Sequence, residues 1–218
     1  MTLRDSTATP RLNRQEAKRQ TQERLLAAAR RVFLERGFHA ASVGDIAELA
    51  GYTTGAIYSN FGGKDDLFLA MLDAELTERT ASQWKVIDAP TFEEMLRAGA
   101  RDLHRAGARD PAMTPLIVEF WTYAADKPEL RARASELHDR QIARIAELLR
   151  DGCDRHGVRL RLSHEDAARG AGALSRGTRL ERLLDSEEIA EETFEEMFMA
   201  YLNGLIVRDG DRGAGGGT

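Results

Sequence analysis

SVGDIAELAGYTTGAIYSNFGGK, residues 42–64, reads as a short amphipathic helix, a glycine turn, a second short helix and an aromatic exit into a third. Val43, Ile46, Ala47 and Ala50 recur at helical spacing and form a narrow apolar stripe. Ser42 with Asp45 three residues on is a capping-box pattern with Asp in place of Glu. Gly51 follows Ala50 as a stop, because glycine takes the left-handed conformation at little cost. Thr53 or Thr54 can cap the next helix, which turns Ile57 and Phe61 inward and Thr54, Gly55, Tyr58 and Asn60 outward. Two helices crossing on a tight turn make a helix-turn-helix, and the second is sized for a DNA major groove.

The charge distribution agrees with that reading only once the chain is divided. The whole chain of 218 residues carries a net charge of −5, with 42% hydrophobic residues, enough for a buried core. Residues 1–60 hold nine Lys/Arg against six Asp/Glu, a net of +3, and residues 61–218 hold 22 against 30, a net of −8. A basic head on an acidic body offers one face to phosphate and repels it elsewhere. No run approaches the roughly 18 apolar residues of a membrane span, and the N-terminus lacks the apolar core of a signal peptide. With Cys153 as the one cysteine, a cytoplasmic location is expected.

Outward from the centre, residues 1–13 show no periodicity, and residues 14–19 add Arg14, Lys18 and Arg19 to what reads as a flexible basic arm over 1–19. That arm is either a solvated tail or a segment that touches phosphate or the minor groove. Leu25, Leu26, Ala29, Val32 and Phe33 predict a helix over 21–36 that stops at Gly37. Later helices are expected over 64–87, 92–108, 111–125, 128–153, 164–184 and 187–207, with 151–163 (DGCDRHGVRLRLS) as a loop and 209–218 as a flexible tail. No strand or repeat is evident. The expected class is all-α with about nine helices, divided as a DNA-binding domain over 20–66 and an effector-binding and dimerisation domain over 67–208.

With these residues in hand, the chain resembles the tetracycline-repressor (TetR) family of bacterial transcription regulators over about residues 20–72. The resemblance rests on Phe33, Gly37, Phe38, Ser42, Ile46, Ala47, Ala50, Gly51, Gly55, Tyr58, Phe61, Lys64 and Leu67 in order. It implies that Ser42 binds phosphate, that Thr53, Thr54, Gly55 and Tyr58 face the groove or backbone, and that Lys64 clamps a phosphate. Hydroxyls, helix N-termini and lysine suit those roles. Asn60 departs from the family's usual aromatic or His, and its partner is either phosphate or a base. Tyr52 stands where a small aliphatic residue is common, either packed under the turn or reaching the backbone. Gly63 replaces the usual Ser cap. No Arg lies in the second helix, so the commonest guanine contact is absent from it.

The resemblance further implies a homodimer on a (pseudo)palindromic operator and release by a small apolar or amphipathic effector. Dimer candidates are Ala171, Leu174, Phe194, Met197, Phe198, Tyr201 and Leu205 on the last two helices. Pocket candidates are Trp84, Phe92, Met95, Leu103, Met113, Phe120, Trp121 and Tyr123, although aromatics and Met at helical spacing are mostly plain core. Arg101, His104 and Glu119 can either orient a polar ligand group or lie on the surface. No cofactor and no metal are expected. The five histidines show no metal-binding spacing, and no P-loop or GxSxG appears, which argues against an enzyme. The competing readings are a ligand-blind DNA binder and a redox or metal sensor built on Cys153 beside His156.

Overall fold

A computed structural model describes residues 14–83, 88–184 and 189–207, with side chains left out over 78–83. The described residues form nine helices and no strand, and the chain divides into two units, residues 1–71 and 72–218. The first unit contains α1 (Arg14–Ala40), α2 (Val43–Ala50), α3 (Thr54–Phe61) and the start of α4 (Lys64–Gln83). The second contains the rest of α4, α5 (Phe92–Arg109), α6 (Met113–Ala125), α7 (Pro128–His156), α8 (His164–Glu181) and α9 (Glu191–Leu205).

In the first unit, Leu25, Ala29, Val32 and Phe33 of α1 meet Ile46, Ala47, Ile57, Leu67 and Phe68 in one buried core. Phe33, Phe38 and Phe68 lock it together. Phe68 stands edge-on to both of the other rings with centroids 5.1 Å apart, a favoured aromatic geometry. The helix expected over 21–36 is longer in the structure. It starts at Arg14, so the last six residues of the expected arm are helical, while residues 1–13 lie outside the described residues. Arg19 pairs with Glu16 and Glu23 at helical spacing, which supports those first turns. At Gly37 (φ 78°, ψ 171°) the helical path does break.

In the second unit, α5 packs against α9, α7 against α6 and α8, and α8 against α9. The helix starts follow local chemistry. Thr91 accepts the Glu94 amide at 3.2 Å, Ser163 accepts the Asp166 amide at 3.0 Å, and Pro128 opens α7. One expectation fails: the segment from Asp151 to His156 is not loop but the last turns of α7. The left-handed stop is Gly157 (φ 65°), not Gly152. Gly152 is buried inside the helix, where an added Cβ would lie 2.4 Å from the Met95 sulfur. Gly152, expected within the loop, therefore marks a close helix–helix contact. What remains of the loop is clasped by the chain end: the Arg161 amide donates to the Leu205 carbonyl at 2.8 Å and the Val207 amide to the Arg159 carbonyl at 2.9 Å. The expected tail at 209–218 lies outside the described residues.

Candidate nucleic-acid interface and effector cavity

The α2–turn–α3 unit is set by its own residues. The Ser42 hydroxyl accepts the Asp45 amide at 3.1 Å, and the Asp45 carboxylate accepts the Ser42 amide at 3.2 Å, a complete capping box. Hydrogen bonds from Ser42, then Arg36 at 2.8 Å, hold the Asp45 carboxyl below its usual value. Gly51 (φ 73°, ψ 30°) ends α2, and its amide and that of Tyr52 return to the α2 carbonyls. Tyr52 packs under the turn: its hydroxyl donates to Thr21 Oγ1 of α1 at 3.4 Å.

α3 then presents a hydroxyl surface. Thr53, Thr54, Gly55 and Tyr58 are exposed, Tyr58 at 58%. Thr53 precedes the helix without a side-chain cap bond. Among the described residues the hydroxyls of Thr53, Thr54 and Tyr58 have no protein partner. Asn60 differs, because its amide nitrogen donates to the Ala56 carbonyl at 2.8 Å within α3. Lys64 is held as well. Its ammonium donates to the His39 carbonyl at 3.1 Å and lies 4.6 Å from the Phe38 ring centroid, which joins the start of α4 to the end of α1.

The second unit contains an apolar cavity of about 130 Å³ bounded by Leu96, Leu103, Ile145, Leu149, Phe198 and Leu202, among others. Of the residues expected to line a pocket, Met95 and Leu103 border it. Phe92 and Phe120 are buried in the packing, Trp121 is 41% exposed, and Met113 is half-buried away from the lining. Tyr123 lies beneath the Lys127 ammonium, 3.4 Å from its ring centroid. Trp84 is outside the described residues. Most walls come from α7, α8 and α9, which sequence reasoning did not enlist: Ile145, Leu148 and Leu149, then Ala168, Ala171 and Gly172, then Phe198 and Leu202. The small residues at 168–172 were the available signal.

Arg101 and His104 turn to structural partners instead. Arg101 meets Glu195 at 2.9 Å, beside Arg97 on the same carboxylate at 2.7 Å, and His104 contacts the Ile189 carbonyl at 2.9 Å. Cys153 is buried, and burial, then Asp154, pushes its thiol up to about 11. Among the described residues no cluster of His, Cys, Asp and Glu is placed to hold a metal. Nor is any described helix long and apolar enough to cross a membrane.

Residues 25–71 match the family model of bacterial regulatory proteins of the tetR family, and residues 92–207 match that of the C-terminal domain of BetI-type transcriptional repressors. The chain belongs to the TetR family. As a TetR-family protein it is a DNA-binding transcriptional regulator, not an enzyme. Over 59 residues it is 44% identical to the transcriptional regulator TtgR of Pseudomonas putida, a match that spans 27% of this chain and 28% of TtgR. The regulator UidR of Escherichia coli is 23% identical over 195 residues, 89% of this chain and 97% of UidR. Among solved TetR-like folds, a regulator from Haloarcula marismortui superposes with a TM-score of 0.68 at 20% identity, covering 87% of this chain and all of that one. The regulator FadR of Bacillus subtilis, solved in complex with stearoyl-CoA, gives 0.67 at 18% identity over 84% of this chain and 98% of FadR.

Proposed function

We propose that this TetR-family regulator is a homodimeric repressor that binds a (pseudo)palindromic operator and releases it when a compact apolar or amphipathic effector enters the second unit. The head over 20–66 reads DNA through Ser42 and the hydroxyl surface of Thr53, Thr54 and Tyr58, with Gly55 admitting the backbone closely and Lys64 near a phosphate. The observation that carries the effector reading is the apolar cavity of about 130 Å³. Its walls, drawn from α5, α7, α8 and α9, are almost wholly apolar and leave room for a small molecule. A ligand-blind DNA binder has no use for such a space. The effector need only bind the DNA-free state better, which shifts the population away from the operator. FadR of Bacillus subtilis, alike in fold, was solved in complex with stearoyl-CoA, which supports an amphipathic ligand as one class to try.

Burial supports a dimer face on α8 and α9 other than the one the periodicity suggests. Phe194 (1% exposed) and Phe198 (8%) serve the protomer's own core, with Ala171 buried and Leu174, Tyr201 and Leu205 packed beside it. Met197 instead belongs to an exposed stripe on α9 at helical spacing, Thr193, Met197, Ala200 and Gly204. α8 carries a matching one, Ala173, Gly177 and Leu180. Such small-residue faces allow a second copy to approach closely, and a two-fold pair would set half-sites about 34–36 Å apart. Selection of bound fragments from genomic DNA, followed by a release screen with apolar compounds, tests the function. Sedimentation of only monomer at micromolar protein, or operator binding that no compound relieves, overturns the corresponding half of the proposal.

A further inference from the structure

The apolar cavity has a more polar neighbour. A second cavity of about 90 Å³ shares Leu103, Ile145 and Gly172 as walls with the apolar one. Beside Leu76 and Ile142, its other walls carry polar groups: His138 and Gln141 of α7 and Ser175, Arg176 and Arg179 of α8. No carboxylate among the described residues lines it. Ser175, 2% exposed, is the one buried polar residue among those described, and it borders this space.

The cations around this space are disposed unequally. Arg169 is paired with Asp139 at 3.2 Å, and Arg179 donates to the Ser175 carbonyl at 3.1 Å. Arg176 is half-buried and has no hydrogen-bond or ion-pair partner among the described residues. Gly172 leaves it room, since an added Cβ there would come within 3.1 Å of an Arg176 guanidinium nitrogen. Taking a charged group out of water is unfavourable unless it is paired. Burial, and after it the charge of Arg169, pulls the Arg176 guanidinium below its usual value. His138 is held down by burial first, then by Arg176 and Arg169, against a smaller opposing influence of Asp139. Among the described residues, Arg176 thus gives this neighbouring cavity a positive charge that no carboxylate of its lining offsets.

We infer that the effector is an amphipathic anion, with its apolar body between Leu96, Leu149 and Phe198 and its oxyanion head on Arg176, assisted by Ser175 and Gln141. Guanidinium suits carboxylate and phosphate alike, because its planar fork matches two oxygens. The size of the body is bounded too. A cavity of about 150 Å³ lined by aliphatic side chains accommodates benzene, so the neighbouring compartment takes a single ring or a short alkyl chain rather than a long acyl tail.

This inference rests on the effector reading above, and its test separates the two. Purified full-length protein is titrated calorimetrically with octanoate, octyl phosphate and octanol, alongside the variants Arg176→Gln and Arg176→Lys. The expected result is binding of at least one anion ten-fold or more tighter than octanol. Arg176→Gln should close that gap while leaving octanol binding unchanged, and Arg176→Lys should restore part of it. The better of octanoate and octyl phosphate identifies the head as carboxylate or phosphate. Equal binding of all three, insensitive to Arg176→Gln, overturns the anionic head and leaves the apolar effector standing. Binding of none overturns both readings.

Discussion

Gly170→Ala is the most discriminating test of how α8 and α9 pack within a protomer. Alanine in a helix interior ordinarily gains about 0.5–1 kcal/mol over glycine. Here an added Cβ would lie 1.9 Å from the Tyr201 hydroxyl oxygen and 2.5 Å from the ring carbon that bears it. The ring must swing aside, which breaks its hydrogen bond to the Ala167 carbonyl at 3.2 Å. Overpacking of this kind costs about 1–3 kcal/mol, and the lost bond adds about 0.5–1.5 kcal/mol. The net is a destabilisation of about 1–3 kcal/mol, opposite in sign to the propensity effect. Urea denaturation followed by circular dichroism at several protein concentrations would separate this loss from any change in association. Combining Gly170→Ala with Tyr201→Phe removes the atom at 1.9 Å but not the carbon at 2.5 Å, so recovery should be partial. A single Gly170→Ala variant as stable as the parent, or more so, refutes this account of the α8–α9 contact.

Other expectations concern charge and surface. With its thiol at about 11, Cys153 should be thiolate to about one part in a thousand at pH 8. A disulfide reagent should label it slowly in the native protein and rapidly in guanidinium, and rapid native labelling would restore the case for a redox role. Arg97 first, then Arg101, hold the Glu195 carboxyl below its usual value. The stability this pairing contributes is therefore complete above the unfolded value and is lost as pH falls from about 5 through the folded one. Glu195→Gln should flatten that acid dependence of the urea midpoint, and an unchanged dependence would count against it. Lys64→Met should destabilise the head by about 1–2 kcal/mol through loss of the His39 and Phe38 contacts. The same variant should weaken operator binding and lower its salt dependence by about one phosphate. Tyr58→Phe should weaken operator binding roughly five-fold at unchanged stability, since its hydroxyl has no partner among the described residues.

The head was legible because its determinants are local. A capping box spans three residues, a left-handed glycine acts on its own turn, and the α1 stripe declares its face by period alone. Gly152, expected in a loop, was misread for the opposite reason: what calls for a glycine there is Met95, far away in sequence. The stripe of α9 showed that Phe194, Phe198 and Leu202 face a neighbour, but period does not say whether that neighbour is the same chain or a second copy. Burial of both phenylalanines against α5 and α8 shows that it is the same chain, and the exposed side with Met197 and Gly204 becomes visible only then. The cavity was the least legible feature, because a void is a property of several helices at once. The aromatic residues that suggested a pocket, Trp121 and Tyr123, are among those it does not use.

The ion pairs of the head alter what its basic charge can deliver. Arg19 is bound to Glu16 and Glu23, Arg31 to Glu35 at 2.8 Å and Arg36 to Asp45 at 2.8 Å. A free cation docking on DNA releases one condensed counterion, and that release drives much of the association. An arginine drawn from a carboxylate leaves behind an anion that gathers a counterion of its own, so the exchange yields little. The nine lysines and arginines of residues 1–60 thus overstate the number of phosphates this surface neutralises. In the DNA complex proposed above, binding to random sequence, which depends on counterion release, would be weakened, while contacts to the hydroxyls of α3 would not. Pairing its own charges would make such a head a more selective reader.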